Sequence, residues 1–194
     1  MSRSGTKGPT RATRHVLLLA GGTGSRMGGG KPFVAVDGRP LWQVTASRLV
    51  DLGCAVVVST GSHEFPIGPF PRVPDRVPDR GPLEGLAAAH ASDPTRDWLV
   101  WPCDVPEPVA EDIDALAVTD DRVRCLADAT GRAQPLMGRW PSGILADLDR
   151  YLDGGGRSVL GFLDGHPPRL LGRPRDRRHL TTRADLEEWK GGNR

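Results

Sequence analysis

The 194-residue chain carries 26 Lys and Arg against 24 Asp and Glu, a formal charge of +2, with 38% hydrophobic and 5% aromatic residues, 25 Gly and 18 Pro. That length suits one globular domain rich in loops, and so small a net charge does not by itself imply a nucleic-acid partner. No apolar run approaches the roughly 18 residues of a transmembrane helix. Cys54, Cys103 and Cys125 are scattered without a C-x-x-C pair, which argues against a disulfide framework or a zinc site and for a reducing cytoplasm.

Residues 1–14 are polar and basic, lack the apolar core of a secretory signal, and read as a disordered leader before a single domain over 15–190. His15–Ala20 is a short apolar run that predicts a buried first strand, followed by a Gly-rich loop over Gly21–Lys31. Phe33–Val36 predicts a short extended piece closed by an Asp37-Gly38 turn. Pro40–Leu52 has helical apolar spacing, with Pro40 near its first turn and Gly53 after its end; Arg48 on it reads as a surface arginine of little consequence. Cys54–Ser59 predicts a second buried strand. Thr60–Pro82, with six prolines and a tandem Val-Pro-Asp-Arg at 73–76 and 77–80, reads as an extended loop at the edge of the site.

Further along, Leu83–Ala91 predicts an Ala-rich helix, Trp98–Trp101 a third strand, Val109–Ala117 a helix, and Arg122–Ala127 and Gln134–Trp140 two more strands. Ser142–Tyr151 and Arg157–Leu163 predict helices joined by three glycines, and Ala184–Lys190 a last short helix. Trp98, Trp101 and Trp140 lie in apolar runs and read as core, and the histidines have no metal-ligand spacing. Alternating strands and helices at this spacing imply βαβ crossovers and a mostly parallel α/β sheet. Ligands of such sheets sit beyond the carboxyl ends of the strands, which puts the Gly-rich loop, Ser59-Thr60 and Asp104 on one edge.

The loop Gly21-Gly22-Thr23-Gly24-Ser25-Arg26-Met27-Gly28-Gly29-Gly30-Lys31 holds six glycines with Arg26 and Lys31. Glycines let the backbone approach a phosphate and present N–H groups, and the two basic side chains supply charge against a triphosphate. It is neither a Walker A loop, since Pro32 stands where Ser or Thr is required, nor a dinucleotide fingerprint. Asp104, directly after the WLVW strand, is placed to hold Mg²⁺ through one or two oxygens, or else to cap a turn. Arg169, Arg173, Arg175, Arg177 and Arg178 form a basic cluster that reads as a solvated loop or as a rim attracting an anionic substrate; without interleaved aromatics it does not read as a nucleic-acid module.

LAGGTGSRMGGGK at 19–31, GPLEGL at 81–86, PCDVP at 102–106 and Gln134-Pro135-Leu136 occur in order, and together they resemble the molybdenum cofactor guanylyltransferases. The similarity covers roughly residues 15–165, with Gly155–Ser158 adding to it. The resemblance implies a nucleotidyltransferase-type, Rossmann-like three-layer α/β sandwich with a mostly parallel central sheet. It implies that Leu19, Ala20, Gly21 and Gly22 contact guanine, ribose and phosphates, with Gly24 in the same loop. Lys31 would contact the phosphates, with Arg26 sharing in charge neutralisation, and Asp75 would read the nucleoside, with Asp79 a rival. Gly81 and Pro82 would form the turn beside the nucleotide, and Asp104 would hold Mg²⁺. Three departures stand out: Gly30 where the family commonly has Asp, Ser59 where an Asn often follows the second strand, and Thr181 and Arg183 in place of the Asn and Pro of a C-terminal signature.

The implied reaction is Mg²⁺-dependent transfer of GMP from GTP to the phosphate of molybdopterin with release of pyrophosphate. Alternatives are a sister transferase that uses CTP or GTP on another phosphorylated small molecule, such as a cobinamide phosphate, or a non-catalytic nucleotide-binding relative. The expected partners are GTP and a phosphorylated acceptor, with no nucleic acid and no membrane, on a monomer or weak homo-oligomer.

Overall fold

The computed structural model describes residues 14–21, 31–36, 38–64, 66, 68–172 and 177–192. Its strands are β1 (Arg14–Leu19), β2 (Ala35–Val36), β3 (Arg39–Pro40), β4 (Cys54–Gly61), β5 (Arg72–Pro74), β6 (Trp98–Pro102), β7 (Arg124–Ala127), β8 (Ala133–Trp140) and β9 (Arg169–Leu171). The helices are α1 (Leu41–Asp51), α2 (Pro82–Ser92), α3 (Ala110–Leu116), α4 (Ser142–Leu145), α5 (Leu148–Asp153), α6 (Val159–Leu163) and α7 (Arg183–Gly192). A seven-stranded sheet runs β5-β4-β1-β6-β8-β7-β9, parallel throughout except for β8, and β2-β3 form a separate hairpin.

β1 shows why the sheet is sandwiched. Val16, Leu18 and Ala20 point into one core with Trp42, Ala46 and Leu49 of α1 and Ile113 and Leu116 of α3. Leu17 points into the other, with Leu83 and Leu86 of α2, Leu148 and Leu152 of α5 and Phe162 of α6. The alternation is the period of two of a strand, and both faces are covered, as a parallel sheet requires. Trp98, Trp101 and Trp140 are buried in these cores. The three cysteines are buried and form no disulfide among the described residues.

Several boundaries differ from the expectations. Arg14, assigned to the leader, opens β1: it pairs with Cys54 in register and its guanidinium is bonded to Asp114, which keeps a buried charge satisfied. Residues 1–13 lie outside the described residues. The expected loop Thr60–Pro82 contains β5, whose single buried residue, Val73, leaves no alternation to read; its Pro74 is tolerated because the strand is at the sheet edge. β9 is likewise three residues long with only Leu171 buried. Of the expected extended piece only Ala35–Val36 is strand, following a 3-10 turn at Lys31–Phe33. The expected helix over Ser142–Tyr151 is two helices separated by a turn, with Leu145 and Leu148 still in one core.

The C-terminal segment closes a third, smaller core beside the hairpin. Leu180, Leu186 and Trp189 bury themselves against Val36, Leu41 and Val44. Thr182 and Asp185 cap α7 reciprocally, the carboxylate accepting from the Thr182 N–H at 2.7 Å and the Asp185 N–H reaching the Thr182 hydroxyl at 3.1 Å. Of the described arginines of the basic cluster, Arg177 is buried on Asp112, whereas Arg169 pairs with Asp120 and Arg178 with Glu188 at the surface. Arg173 and Arg175 lie outside the described residues. Among the described residues no helix is long and apolar enough to cross a membrane.

Candidate active site

The chain leaves β1, builds outward through β4 to β5, then crosses back to β6 on the other side of β1. That reversal opens a crevice at the carboxyl ends of β1, β4 and β6, the usual ligand position in such sheets. A cavity of about 530 Å³ occupies it, within the range of small-molecule sites. Leu19 and Gly21 line it from the end of β1, Ser59 and Gly61 from β4, Pro102, Cys103 and Asp104 from β6, and Leu136 from β8. Asp75, Asp79 and Gly81 close it from the β5–α2 connection, and Pro82 and Gly85 from the first turn of α2.

Of the residues expected from sequence, Leu19, Gly21, Ser59, Asp75, Gly81, Pro82 and Asp104 thus share one cavity. Ala20 does not line it: its side chain is fully buried in the core and its N–H is spent on Ser59 O at 2.8 Å. Gly22, Gly24, Arg26 and Gly30 lie outside the described residues, as does the side chain of Lys31, although the 3-10 turn that begins at Lys31 brings Pro32 to the cavity wall.

Two glycines lock the loop entry. A Cβ on Gly21 would stand 2.3 Å from Gly61 N, and one on Gly61, at φ +62°, would stand 2.6 Å from Gly21 O. The ends of β1 and β4 therefore touch backbone to backbone, closer than any side chain allows. Gly61 was not singled out in the sequence, because nothing in VVVST-Gly-Ser distinguishes a contact glycine from a turn glycine. Gly85 makes the same allowance for Ser59, whose hydroxyl a Cβ there would approach to 2.4 Å.

The tandem Val-Pro-Asp-Arg acquires a structural explanation. Both aspartates line the cavity, whereas both arginines turn to the buried Glu84: Arg76 Nε donates to it at 2.9 Å and Arg80 stands 3.8 Å away. Arg76 and Arg80 also pair with Asp149 and Asp153, one helical turn apart on α5, at 2.6 and 3.0 Å. A four-residue repeat thus matches a four-residue helical step. Asp79 holds φ +62°, a left-handed conformation that Asp tolerates better than most residues. Asp75 is pushed up to about 6, first by burial and next by the neighbouring Glu84 carboxylate, with His63 and Arg76 opposing. Glu84 was missed in the sequence, where an acid in a first helical turn reads only as favourable to the helix dipole.

Asp104 follows β6 and its backbone carbonyl accepts from Leu180 N at 2.8 Å, so the C-terminal segment abuts the cavity. Thr181, at the position of the expected Asn, directs its hydroxyl to Asp185 at 2.8 Å and serves the α7 cap. Arg48 is not the inconsequential surface residue expected: it donates to Pro106 O at 2.9 Å, stacks 5.3 Å over the Trp189 ring and lies 3.7 Å from Glu107. Gln134 is tied to Asp128 at 3.0 Å and organises the β7–β8 turn, leaving Leu136 as that motif's contribution to the cavity wall. Among the described residues no group of three or more His, Cys, Asp or Glu is arranged to hold a metal ion.

A crevice of this kind, at the reversal of a mostly parallel sheet, is where doubly wound α/β proteins take their ligands, and here a Gly-rich sequence follows the first strand. The chain belongs to the MobA-like NTP transferase domain family, whose model matches residues 16–168. It is 32% identical over 185 residues to a molybdenum cofactor guanylyltransferase of Serratia proteamaculans, covering 90% of this chain and 92% of that one. A protein of the same description from Cupriavidus metallidurans is 34% identical, covering 82% and 84%. Among solved structures, molybdopterin-guanine dinucleotide biosynthesis protein A of Archaeoglobus fulgidus superposes with a TM-score of 0.74 at 17% identity, over 92% of this chain and 98% of that one. The protein is a nucleotidyltransferase with the fold of that class.

Proposed function

We propose that the protein transfers GMP from GTP to the terminal phosphate of molybdopterin, releasing pyrophosphate. The observation that carries this reading is the single cavity shared by Gly21, Ser59, Asp75, Gly81 and Asp104, in a chain a third identical to proteins described as molybdenum cofactor guanylyltransferases. An oxygen of the acceptor phosphate forms a bond to the α-phosphorus of GTP while the bond from that phosphorus to the bridging oxygen breaks, and pyrophosphate leaves with the electron pair. The acceptor phosphate is anionic at neutral pH, so no general base is needed, and catalysis reduces to alignment and charge neutralisation. In this reading Gly21, packed against Gly61, presents its backbone to the nucleotide, Asp75 accepts hydrogen bonds from the base edge, and Lys31 and Arg26 meet the phosphates. The hard oxygen of Asp104, beside a cavity with room for nucleotide oxygens and water, suits Mg²⁺, which keeps one or two protein carboxylates. When bound there, Mg²⁺ neutralises charge on the phosphates. We further place the protein in the cytoplasm as one domain running from Arg14 through α7, acting as a monomer or weak homo-oligomer.

Calorimetric titration with the four nucleoside triphosphates, followed by mass spectrometry of the product formed with molybdopterin, tests the assignment. GTP is expected to bind most tightly, because buried polar groups matched to one base are left unpaired by another. Equal affinity for all four, or a preference for CTP, overturns it.

The environment of Asp75 adds a pH dependence. Only the ionised carboxylate accepts with both oxygens from the two donors on the guanine edge, and ionisation is displaced upward to about 6. GTP affinity is therefore expected to weaken as pH falls from 7.5 through 6 to 5. The same displacement means that the folded chain holds this proton more tightly than the unfolded one, so the Asp75 contribution to stability declines as pH rises through 6. Asp75→Asn, which cannot titrate, supplies the control for the nucleotide's own ionisation. A wild-type profile parallel to that of the variant removes Asp75 from base recognition.

A further inference from the structure

The last bond from the end of β6 to β1 is Cys103 N–H to Leu19 O at 3.1 Å, just before Asp104, and prolines at 106 and 108 contribute no N–H to the segment that follows. Its backbone is nevertheless fixed at five successive carbonyls. Pro102 O accepts from Val105 N at 3.2 Å and Asp104 O from Leu180 N at 2.8 Å. Cys103 O accepts from the Thr45 hydroxyl at 2.9 Å, Val105 O from Trp101 Nε1 at 2.8 Å, and Pro106 O from the Arg48 guanidinium at 2.9 Å. A buried loop must satisfy its carbonyls, and three of these five donors are side chains, one local and two brought from elsewhere in the fold. Two of the three, Thr45 and Arg48, stand on one helix.

That helix also touches the other side of the site. The N–H of Leu41, its first residue, donates to Val34 O at 3.0 Å, directly after the 3-10 turn Lys31–Phe33. Thr45 lies one turn further and is fully buried, its single hydroxyl proton shared between Cys103 O and Leu41 O at 3.0 Å. α1 is thus a strut with the exit of the Gly-rich loop at its start and the Asp104 loop at its middle.

We infer that Thr45 and Arg48 are positioning residues, which set the Asp104 carboxylate relative to the exit of the Gly-rich loop by holding the carbonyls on either side of it. The inference rests on the reading of Asp104 as the metal-holding carboxylate. A helix registers the loop to a fraction of an ångström, and in-line phosphate transfer is sensitive on that scale. Removing such outer partners of a metal ligand typically weakens metal binding or activity about 10- to 100-fold.

The test uses the full chain saturated with a GTP analogue whose α–β bridge cannot be cleaved, with free Mn²⁺ counted by electron paramagnetic resonance. Thr45→Val, close in shape but without the hydroxyl, is expected to weaken Mn²⁺ binding about 10- to 100-fold. Metal-free affinity for the analogue should be unchanged, and Thr45→Ser should restore metal binding. Arg48→Met, which keeps an unbranched chain but removes the guanidinium, should shift it in the same direction by less; its partly exposed site also carries the test if Thr45→Val fails to fold. Wild-type Mn²⁺ affinity in both Thr45→Val and Arg48→Met overturns the inference, as does a Thr45→Ser variant as impaired as Thr45→Val, since packing rather than the hydroxyl would then matter. Asp104→Asn separates the two levels: undiminished Mn²⁺ binding there overturns the metal reading itself, whereas a loss there with none at Thr45 or Arg48 overturns the positioning role alone.

Discussion

Asp104→Asn is expected to lower turnover by about 10²- to 10³-fold at saturating GTP, the scale set by removal of one preorganised electrostatic group from a transfer site. The substitution keeps the shape of the side chain and every backbone bond of the loop, including the 2.8 Å bond from Leu180 N to Asp104 O. Thermal stability and metal-free GTP affinity should therefore stay near those of the parent, and the loss should fall on kcat and on the Mg²⁺ concentration needed for half-maximal rate. A steady-state titration of Mg²⁺ at fixed, saturating GTP checks it. If the variant turns over like the parent at limiting Mg²⁺, Asp104 is a turn-capping residue and the proposed charge neutralisation is wrong.

The second large effect concerns folding. Arg177 is buried, with Nε and one terminal nitrogen on the two oxygens of Asp112 at 2.7 and 2.8 Å and the other terminal nitrogen on Ala127 O at 2.9 Å. This pair ties the C-terminal segment to α3 and β7. Asp112→Ala leaves a buried guanidinium without its carboxylate, which costs roughly 3–5 kcal/mol. Domains of this size hold only about 5–15 kcal/mol in total, so a large part of the stability is at stake. The denaturant midpoint should fall accordingly with little change in slope. Replacing both partners together, Asp112→Leu with Arg177→Met, should recover much of the loss, because no charge is then stranded. A single variant as stable as the parent would show that water or other groups solvate Arg177. The same variant should also lose activity near its midpoint, since Leu180 three residues on holds the carbonyl of Asp104.

Both effects run through the C-terminal segment, whose role is mechanical in this fold. Trp189 Nε1 donates to Glu107 at 2.9 Å, three residues past Asp104, and lies under Arg48. Thr181 gives its hydroxyl to the α7 cap, where three hydrogen bonds from Thr181 and Thr182 hold the Asp185 carboxyl down to about 2. The substitution of Thr for the expected Asn therefore trades a polar group for a fixed helix start beside the Asp104 loop.

The sequence by itself determined the elements whose signal is local. HVLLLA, CAVVVS and WLVW read as buried strands because parallel strands covered on both faces are continuously apolar, and they form β1, β4 and β6. Their alternation with α1 and α2 was enough to place a ligand at their carboxyl ends, near Gly21, Ser59 and Asp104, whereas Asp75, Gly81 and Pro82 were named only through the resemblance to a family. What only the tertiary structure decided is whatever depends on partners distant in sequence. β5 and β9 are three residues long with one buried side chain each, so their existence rests on hydrogen bonds to β4 and β7 rather than on any pattern of their own. Gly61 matters because Gly21, forty residues earlier, lies against it, and Glu84 because two arginines of the repeat turn inward to meet it. Arg48 reads as solvent-facing from helical spacing alone; it is bound because the chain returns 58 residues later with an unpaired carbonyl at Pro106, and the demand of a buried loop for donors is a property of the fold, not of the helix that answers it.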